Sequence, residues 1–321
     1  MGTSVQVLRK AGWKEEGTTG QYDAPSIQMP FTSFTLHQSF DMIDDESIVG
    51  IAFPDLPLQG VRHMTGDLST QLDVDTIEEA LEGVFGSVAA KVFTLPTDKN
   101  DKTMSFVGLD EVKTYKYAGC IFNDVHFVSE AEGDLHMTAG VIGYVAEVRD
   151  DSAFPAMTTT PGTRLVHHHA GGTNGYIRIG NQDDALDSGD NQCIESIDIG
   201  VNWNYGEQYC NGQSPLVLLS SSAGRPEATF EFTISRHDAD TWHGFRDNHT
   251  ALQADINYYG AADAILQFEI PNFVIETLEK TEDDVNTLTV TCRCARNGID
   301  ANYSNSNMAF NSAIRASLTN T

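Results

Sequence analysis

The chain has 321 residues, of which 40% are hydrophobic, so two halves of ordinary domain size can each bury a core. Its formal net charge is −27, from 46 acidic residues against 19 lysines and arginines. This balance argues against a surface that grips nucleic acid, because binding phosphates requires clustered cations. It suits a surface that nucleic acid passes without adhering, and a halophilic or marine source explains the charge equally well.

The N-terminal residues 1–30 are rich in Gly, Thr and Gln and lack hydrophobic periodicity, which predicts an N-terminal arm. They contain no apolar core of a signal peptide, and no apolar run in the chain approaches the ~20 residues that span a bilayer. We therefore expect the protein to be assembled in a cytoplasm.

A first strand is predicted at Phe34–Phe40, where apolar residues and Gln38 alternate with Thr, His and Ser. The connection that follows, 41–65, is unusually long for a compact domain, and loops of this length are usually functional or interacting. The residues that mark it as an interacting loop are Asp44, Asp45, Glu46, Pro54 and Pro57.

An alternating strand at 66–73 leads into a helix predicted over Asp75–Phe85. Asp75 and Glu78 match the spacing of a capping box, and Gly86 suits the left-handed end of the helix. One apolar stripe should face the core, formed by Ile77, Ala80, Leu81, Val84 and Phe85. Further strands are predicted at 104–109, 117–129 and 135–148, with a hairpin turn at Gly133–Asp134.

Residues 151–192 are polar and rich in Gly, Pro and His, which predicts a linker or projecting loop at the domain boundary. His167 and His169 are weak metal candidates, because a strand would point both to one face but no third ligand is evident. The run 181–191 has the composition of a calcium loop without its ligand spacing, so a solvated acidic loop is favoured.

The second half repeats the plan of the first. Strands are predicted at 197–201 and 227–235, a helix begins at Asp238, and strands follow at 252–258, 264–278 and 288–294. Cys292 and Cys294 share one face of the last strand and are predicted to pack in the core, since five scattered cysteines are no disulfide framework.

The fold class is therefore mainly β: two tandem pseudo-repeated domains, each a β-sandwich or half-barrel with one short helix. The boundaries are 1–30 for the arm, 31–150 and 193–298 for the domains, 151–192 for the linker, and 299–321 for a C-terminal tail.

Several polar residues alternate with apolar ones on strands of the second half, and simple solvent exposure of a half-buried sheet would explain them. The alternative is that they line something polar and anionic; they are Asp198, Glu227, Glu231, Asp255, Asn257 and Glu269. Nucleophile elbows, phosphate-binding glycine loops and zinc-helix motifs are absent, so we expect neither an enzyme nor a cofactor.

Over most of 30–297 the chain resembles the tail tube proteins (major tail proteins) of long-tailed bacteriophages. The resemblance is carried by TSFTLHQSF, GDLSTQLDVDTIEEALEGVFG, TMSFVGL, YKYAGCIFNDVHFVSEAEGDLHMTAG, CIESIDIGVNW, GRPEATFEFTISRHDADTWHGF and LQFEIPNFVIE. Such proteins have two packed sheets flanked by a helix, and six domains form a ring whose inner sheets join into one barrel.

The resemblance implies a virion protein whose rings stack into an acidic conduit through which DNA passes without sequence-specific binding. It implies a tape measure protein and a tail terminator as partners, and no membrane. With two domains per chain, three chains would complete a ring of six domains. The arm and the loop 41–65 would then contact stacked rings.

Three other interpretations remain open from the sequence. One is another phage tail part with the same fold, such as a terminator or baseplate hub. The second is a carbohydrate-binding β-sandwich, suggested by Trp203, Tyr205 and Trp242 as exposed aromatic residues. The third is a hydrolase with an unrecognised acidic pair, which is the weakest of the three because fold alone says little about function.

Overall fold

The fold is an extended antiparallel β-structure with two short helices. The computed structural model of the chain describes residues 10–43, 58–86, 88–96, 102–110, 113–131, 133–143, 148–150, 154–158, 162–166, 175–208, 218–220, 225–235, 239–260, 265–282, 286–298 and 304–319. Among the segments predicted above, the His167 and His169 pair, the loop residues Asp44, Asp45, Glu46, Pro54 and Pro57, and Asp238 lie outside these ranges.

The described residues of the first half form ten strands and one helix. They are β1 (Lys10–Glu15), β2 (Phe31–Phe34), β3 (His37–Ile43), β4 (Leu58–Gln71), α1 (Ile77–Phe85), β5 (Val88–Ala89), β6 (Val92–Thr94), β7 (Met104–Asp110), β8 (Lys113–Glu130), β9 (His136–Gly143) and β10 (Val148–Asp150).

In the second half, the residues that the structure describes form nine strands, one helix and a 3₁₀ turn at Ser188–Asp190. They are β11 (Tyr176–Asn181), β12 (Ile194–Asn202), β13 (Gly206–Gln208), β14 (Leu218–Ser220), β15 (Glu227–Ser235), α2 (Ala239–Asp247), β16 (Leu252–Tyr259), β17 (Ile265–Glu282), β18 (Asn286–Cys294) and β19 (Arg315–Thr319).

The predicted apolar stripe of α1 is confirmed, since all five residues of the stripe are buried. The helix begins at Ile77 rather than Asp75, and the carboxylate that caps the preceding turn belongs to Asp73. Its Oδ1 accepts the main-chain N–H groups of Asp75 and Thr76 at 3.1 and 2.8 Å. Gly86 ends the helix at φ 71°, as predicted from its lack of a side chain.

The strands of the first half are joined in the spatial order β3–β4–β9–β8–β7–β1, with β2 also on β4. The predicted hairpin between β8 and β9 is confirmed, with the Gly133 N–H donating to the Glu130 carbonyl at 2.9 Å. Of the predicted strand 135–148, β9 covers His136–Gly143 and residues 144–147 lie outside the described ranges; β10 pairs with the start of β8.

The strands of the second half are joined in the order β12–β15–β18–β17–β16–β11. The strands β8 and β17 occupy the same place in their halves and each contain 18 residues. Strand β19 pairs with the start of β17, as β10 does with β8.

One ladder joins the two halves: residues 124–130 of β8 pair antiparallel with 196–202 of β12. Phe127 lies at the centre of this junction and is fully buried. Its ring contacts Phe85 of α1 at 6.3 Å between centroids and Phe268 of β17 at 5.3 Å. The two halves therefore share one continuous hydrophobic core.

The described parts of the predicted arm, linker and tail pack against the sheet. Trp13 of β1 is fully buried and contacts Phe106 and Phe122. Within 151–192, β11 pairs with β16. Strand β19 pairs with both β17 and β6, so the chain end ties the two halves together a second time. The sequence did not predict β1, β11 and β19, because strands this short show little hydrophobic periodicity.

Candidate functional surface

One polar sheet face runs across both halves of the chain. Along β15, Ala228, Phe230, Phe232 and Ile234 are buried, whereas the residues between them lie on the opposite face. The same alternation holds on β12 and on the C-terminal part of β8. Because the strands β3, β4, β9, β8, β12, β15, β18 and β17 are neighbours in this order, their polar sides form a single surface.

An acidic row crosses this surface from the first half to the second. The strand registers place Asp67, Gly140, Asp124, Asn202 and Glu227 side by side on five successive strands. Gly140 places no side chain between the two aspartates; a Cβ at that position would lie 3.8 Å from the Asp67 Oδ1 and 3.8 Å from the Asp124 Cβ. The negative charges along this row make the face repellent to other anions.

A second row contains Asp198 and Glu231, which are directly opposite each other on β12 and β15. Each has a nearby hydrogen-bonding partner: Thr291 Oγ1 donates to Glu231 Oε2 at 2.8 Å, and His126 Nδ1 lies 2.8 Å from Asp198 Oδ1. The hydrogen bond with Asp198 raises the pKa of His126, because it stabilises the imidazolium. Three of the six predicted residues, Asp198, Glu227 and Glu231, therefore lie on this surface.

The other three predicted residues lie elsewhere, on β16 and the first part of β17. Asp255 accepts hydrogen bonds from Tyr176 Oη at 2.9 Å and Gln267 Nε2 at 2.7 Å. Glu269 accepts one from Arg315 Nε at 2.5 Å, and burial raises the pKa of this carboxyl. Asn257 is buried. These groups form a polar cluster within the molecule, apart from the acidic row.

Sequence reasoning missed Asp67 and Asp124 of the acidic row. A signal for both was present, since each alternates with apolar residues that prove to be buried: Asp67 precedes Leu68, and Asp124 precedes Val125. Only the pairing of β4 and β8 with the same strand, β9, brings the two aspartates together.

The aromatic residues that suggested carbohydrate binding are wrongly assigned. Trp203 and Trp242 are 2% and 6% exposed, so neither ring is available to stack on a sugar. Trp203 packs against Tyr205, and Trp242 against Phe232. Trp203 at the end of a strand and Trp242 on an amphipathic helix are both core residues, as is common for large aromatic side chains.

The acidic segment 181–191 contacts the C-terminal segment through Asp183, whose Oδ1 accepts the Ser306 N–H at 2.7 Å. Asp187 makes a bond within the segment, where its Oδ1 accepts the Gly189 N–H at 2.6 Å. Among the described residues, no group of three or more His, Cys, Asp or Glu side chains is placed to hold a metal ion. No helix in the described part of the chain is long and apolar enough to cross a bilayer.

A cavity of about 620 Å³ lies beside β2 and β3. Its lining includes the aromatic rings of Phe34, Tyr115 and Tyr117 together with Leu36. The Tyr117 hydroxyl donates to the Leu36 carbonyl at 2.8 Å. None of the described residues around this cavity is a carboxylate, and the imidazole of His37 is exposed and bonded to the Thr35 carbonyl.

The described residues form a large antiparallel β-structure whose polar face carries a row of acidic side chains. The family model for phage tail tube proteins matches residues 8–294. The chain therefore belongs to the phage tail tube protein family, a structural and non-enzymatic component of the virion tail. No curated protein matches the chain.

Proposed function

We propose that three copies of this chain close into a ring with pseudo-sixfold symmetry, and that stacked rings form an acidic conduit for DNA ejection. The proposal needs two equivalent domains per chain. The boundaries proposed for them are 31–150 and 193–298, preceded in each case by the strand that completes the sheet, β1 or β11.

The observation that carries the proposal is a set of strand irregularities that recurs in both halves. Pairing order alone could arise by convergence, but β-bulges are specific local features. Three register shifts in the second half have a counterpart on the equivalent pair of strands in the first. The three pairs are Phe31/Ser33 with Ile194/Ser196, Met104/Phe106 with Leu252/Ala254, and Phe122/Asp124 with Ile275/Thr277.

The dimensions of such a ring suit a DNA conduit. The face described above draws on eight strands per chain, so three chains supply three times eight, or 24 strands. With strands ~4.8 Å apart and tilted by 35–45°, a closed barrel of 24 strands is about 45–50 Å across. This leaves a lumen that can hold a DNA duplex.

The acidic row would face this lumen. Asp67, Asp124 and Glu227 stand on the face opposite the core, and a closed barrel turns one sheet face inward. Repulsion between these carboxylates and phosphates would prevent the genome from adhering during transit. Asp255 and Glu269, by contrast, are engaged by Tyr176, Gln267 and Arg315, which favours a structural role for them.

A tail terminator or baseplate hub with the same fold is the second candidate. Self-stacking separates the two, because a terminator closes a tube and does not extend it. The sequence analysis assigned contacts between stacked rings to the arm 1–30 and the connection 41–65, and we propose that residues 1–9 and 44–57 of these segments make them. A truncation that tests this should remove residues 1–9 only, since Trp13 belongs to the core.

The test is electron microscopy of the purified protein with mass measurement of single rings. Rings of three chains that stack into tubes with a central hole are expected. Rings of six chains, each supplying one half to the lumen, would refute the three-chain proposal. Single rings that never stack would favour the terminator.

A further inference from the structure

We propose that neighbouring copies in the ring are joined by an antiparallel strand pair whose register can be given by residue. Residues 277–282 of β17 in one copy would pair with 34–39 of the next, with Lys280 opposite Leu36 and Glu279 opposite His37. This inference rests on the proposed three-chain ring and specifies the contact that closes it.

The contact is the one that already joins the two halves of a single chain. Strand β12 pairs with β15 on one edge and with β8 on the other. Its counterpart in the first half, the β2–β3 segment, pairs with β4 alone among the described strands. Likewise the C-terminal part of β8 lies between β9 and β12, whereas that of β17 pairs with β18 alone in the described chain. The outer edges of β17 and of the β2–β3 segment thus each carry one of the two partners of the internal junction.

The matching bulges fix the register. On the long strands, Phe122 corresponds to Ile275, a shift of 275 − 122 = 153 positions. On β2 and β12, Phe31 corresponds to Ile194, a shift of 194 − 31 = 163 positions. In the internal junction, Phe127 lies opposite Ile199 and His126 opposite Gly200. Applying the two shifts places Lys280 opposite Leu36 and Glu279 opposite His37.

The hydrogen-bonding pattern transfers in the same way. At the two ends of the internal ladder, the Trp203 N–H donates to the Asn123 carbonyl, and the Ala131 N–H to the Glu195 carbonyl, both at 2.7 Å. Odd-numbered residues therefore exchange main-chain bonds there, and even-numbered ones would do so between copies. The Leu36 carbonyl accepts the Tyr117 hydroxyl and keeps a second lone pair for the Lys280 N–H.

The side chains on the two outer edges of the sheet fit this pairing. In the internal junction Phe127 packs against Phe268, whose counterpart in the first half is Tyr115. Tyr115 lines the cavity beside β2 and β3 together with Leu36. Lys280 corresponds to Phe127, so its alkyl stem would enter the cavity and its ammonium would lie near the tyrosine ring.

One further observation favours a contact at this edge. Glu279 is exposed on β17 and carries the charge opposite to a protonated His37.

Disulfide trapping tests the register. In a Cys193→Ser/Cys210→Ser background, His37→Cys with Glu279→Cys places two thiols at a directly opposed, non-hydrogen-bonded pair, where Cα atoms are ~4.5 Å apart. We expect oxidised rings to give a covalent ladder that ends at the trimer on denaturing gels. The matched control, His37→Cys with Thr281→Cys, is shifted by two residues and should not cross-link.

The outcomes separate the two proposals. A ladder ending at the hexamer from the matched pair alone would support the register and refute the three-chain ring. Three-chain rings in which the matched pair does not cross-link, or the shifted pair cross-links better, would overturn the register and leave the ring standing.

A proline substitution provides a second test that needs no cysteines. Lys280→Pro removes the N–H that would point to the next copy while leaving the bonds to β18, so the monomer should fold with an unchanged urea midpoint. We expect ring formation to require about a hundredfold higher concentration, whereas Lys280→Ala assembles much more readily than the proline variant. Normal rings from the proline variant would overturn the pairing.

Discussion

Replacing the buried carboxylate of Glu16 by an amide should destabilise the first half strongly. Glu16 is 7% exposed, and its two oxygens accept four hydrogen bonds. Oε1 accepts from Ser105 Oγ at 2.9 Å and the Gly119 N–H at 2.7 Å. Oε2 accepts from Thr103 Oγ1 at 2.7 Å and the Gly20 N–H at 2.6 Å. These bonds fasten the end of β1 to the left-handed kink at Gly119 of β8.

The cost of Glu16→Gln follows from this geometry. Each carboxylate oxygen serves one hydroxyl and one main-chain N–H. A hydroxyl can rotate and accept a bond from the new amide NH₂, but an N–H cannot. Either orientation of the substituted side chain therefore orphans one N–H group, the buried one of Gly119 or the partly buried one of Gly20. An unsatisfied buried donor costs about 1–3 kcal/mol, and the lost charge on the other bonds adds to it. We expect a total of about 2–4 kcal/mol from these two contributions.

Urea unfolding of the unassembled protein, followed by circular dichroism, measures this difference. The control is Glu15→Gln at the adjacent position, where the carboxylate pairs with Lys102 in a partly exposed ion pair. Such pairs contribute at most ~1 kcal/mol. Equal midpoints for the two variants would show that the four bonds to Glu16 do not hold β1 in place.

Three further changes test other parts of the structure. Burial and the nearby Glu82 raise the pKa of Glu79 to about 7, so its ionisation should destabilise the fold increasingly as the pH rises from 4.5 through 7. The free energy of unfolding of Glu79→Gln should equal that of the parent near pH 4.5 and exceed it at pH 8 by about 1–2 kcal/mol after solvent screening; equal stability at pH 8 would contradict this. Phe127→Ala should cost about 3–5 kcal/mol and split thermal unfolding into two transitions by weakening the junction of the halves. Phe106→Ala removes a buried ring of the first half and leaves the junction intact, so it should lower the midpoint of a single transition; one unchanged transition for Phe127→Ala in calorimetry would argue against a shared core. Phage carrying Asp67→Lys/Asp124→Lys should eject DNA more slowly in low salt and recover in high salt, while Asp247→Lys on α2 should behave as the parent; ejection that is insensitive to the paired change would argue against a luminal acidic row.

Much of the fold was predictable from local periodicity. The apolar stripe of α1, the hairpin of β8 and β9, and the alternation on β15 all follow from residues close in sequence. Cys292 is buried as predicted, and Cys294 packs beside the core. The start of α1 was misplaced because Asp73 and Asp75 are equally good capping residues, and only the turn geometry selects Asp73.

Long-range pairing was not predictable in the same way. Nothing local distinguishes Asp67 from any other exposed acid until β9 places it beside Asp124. The same holds for Glu269, which looked exposed by alternation but meets Arg315 from the last strand of the chain. The burial of Trp242 was not predictable locally, because Phe232, which packs against it, comes from strand β15.

The ladder between β8 and β12 has a consequence for the kinetics of assembly. In the proposed ring, half of the junctions between domains form while each chain folds, at the high effective concentration of an intramolecular contact. Only the remaining half depend on encounters between chains. Closing a ring then requires three bodies rather than six to meet in order, and fewer incomplete arcs with open strand edges accumulate along the way.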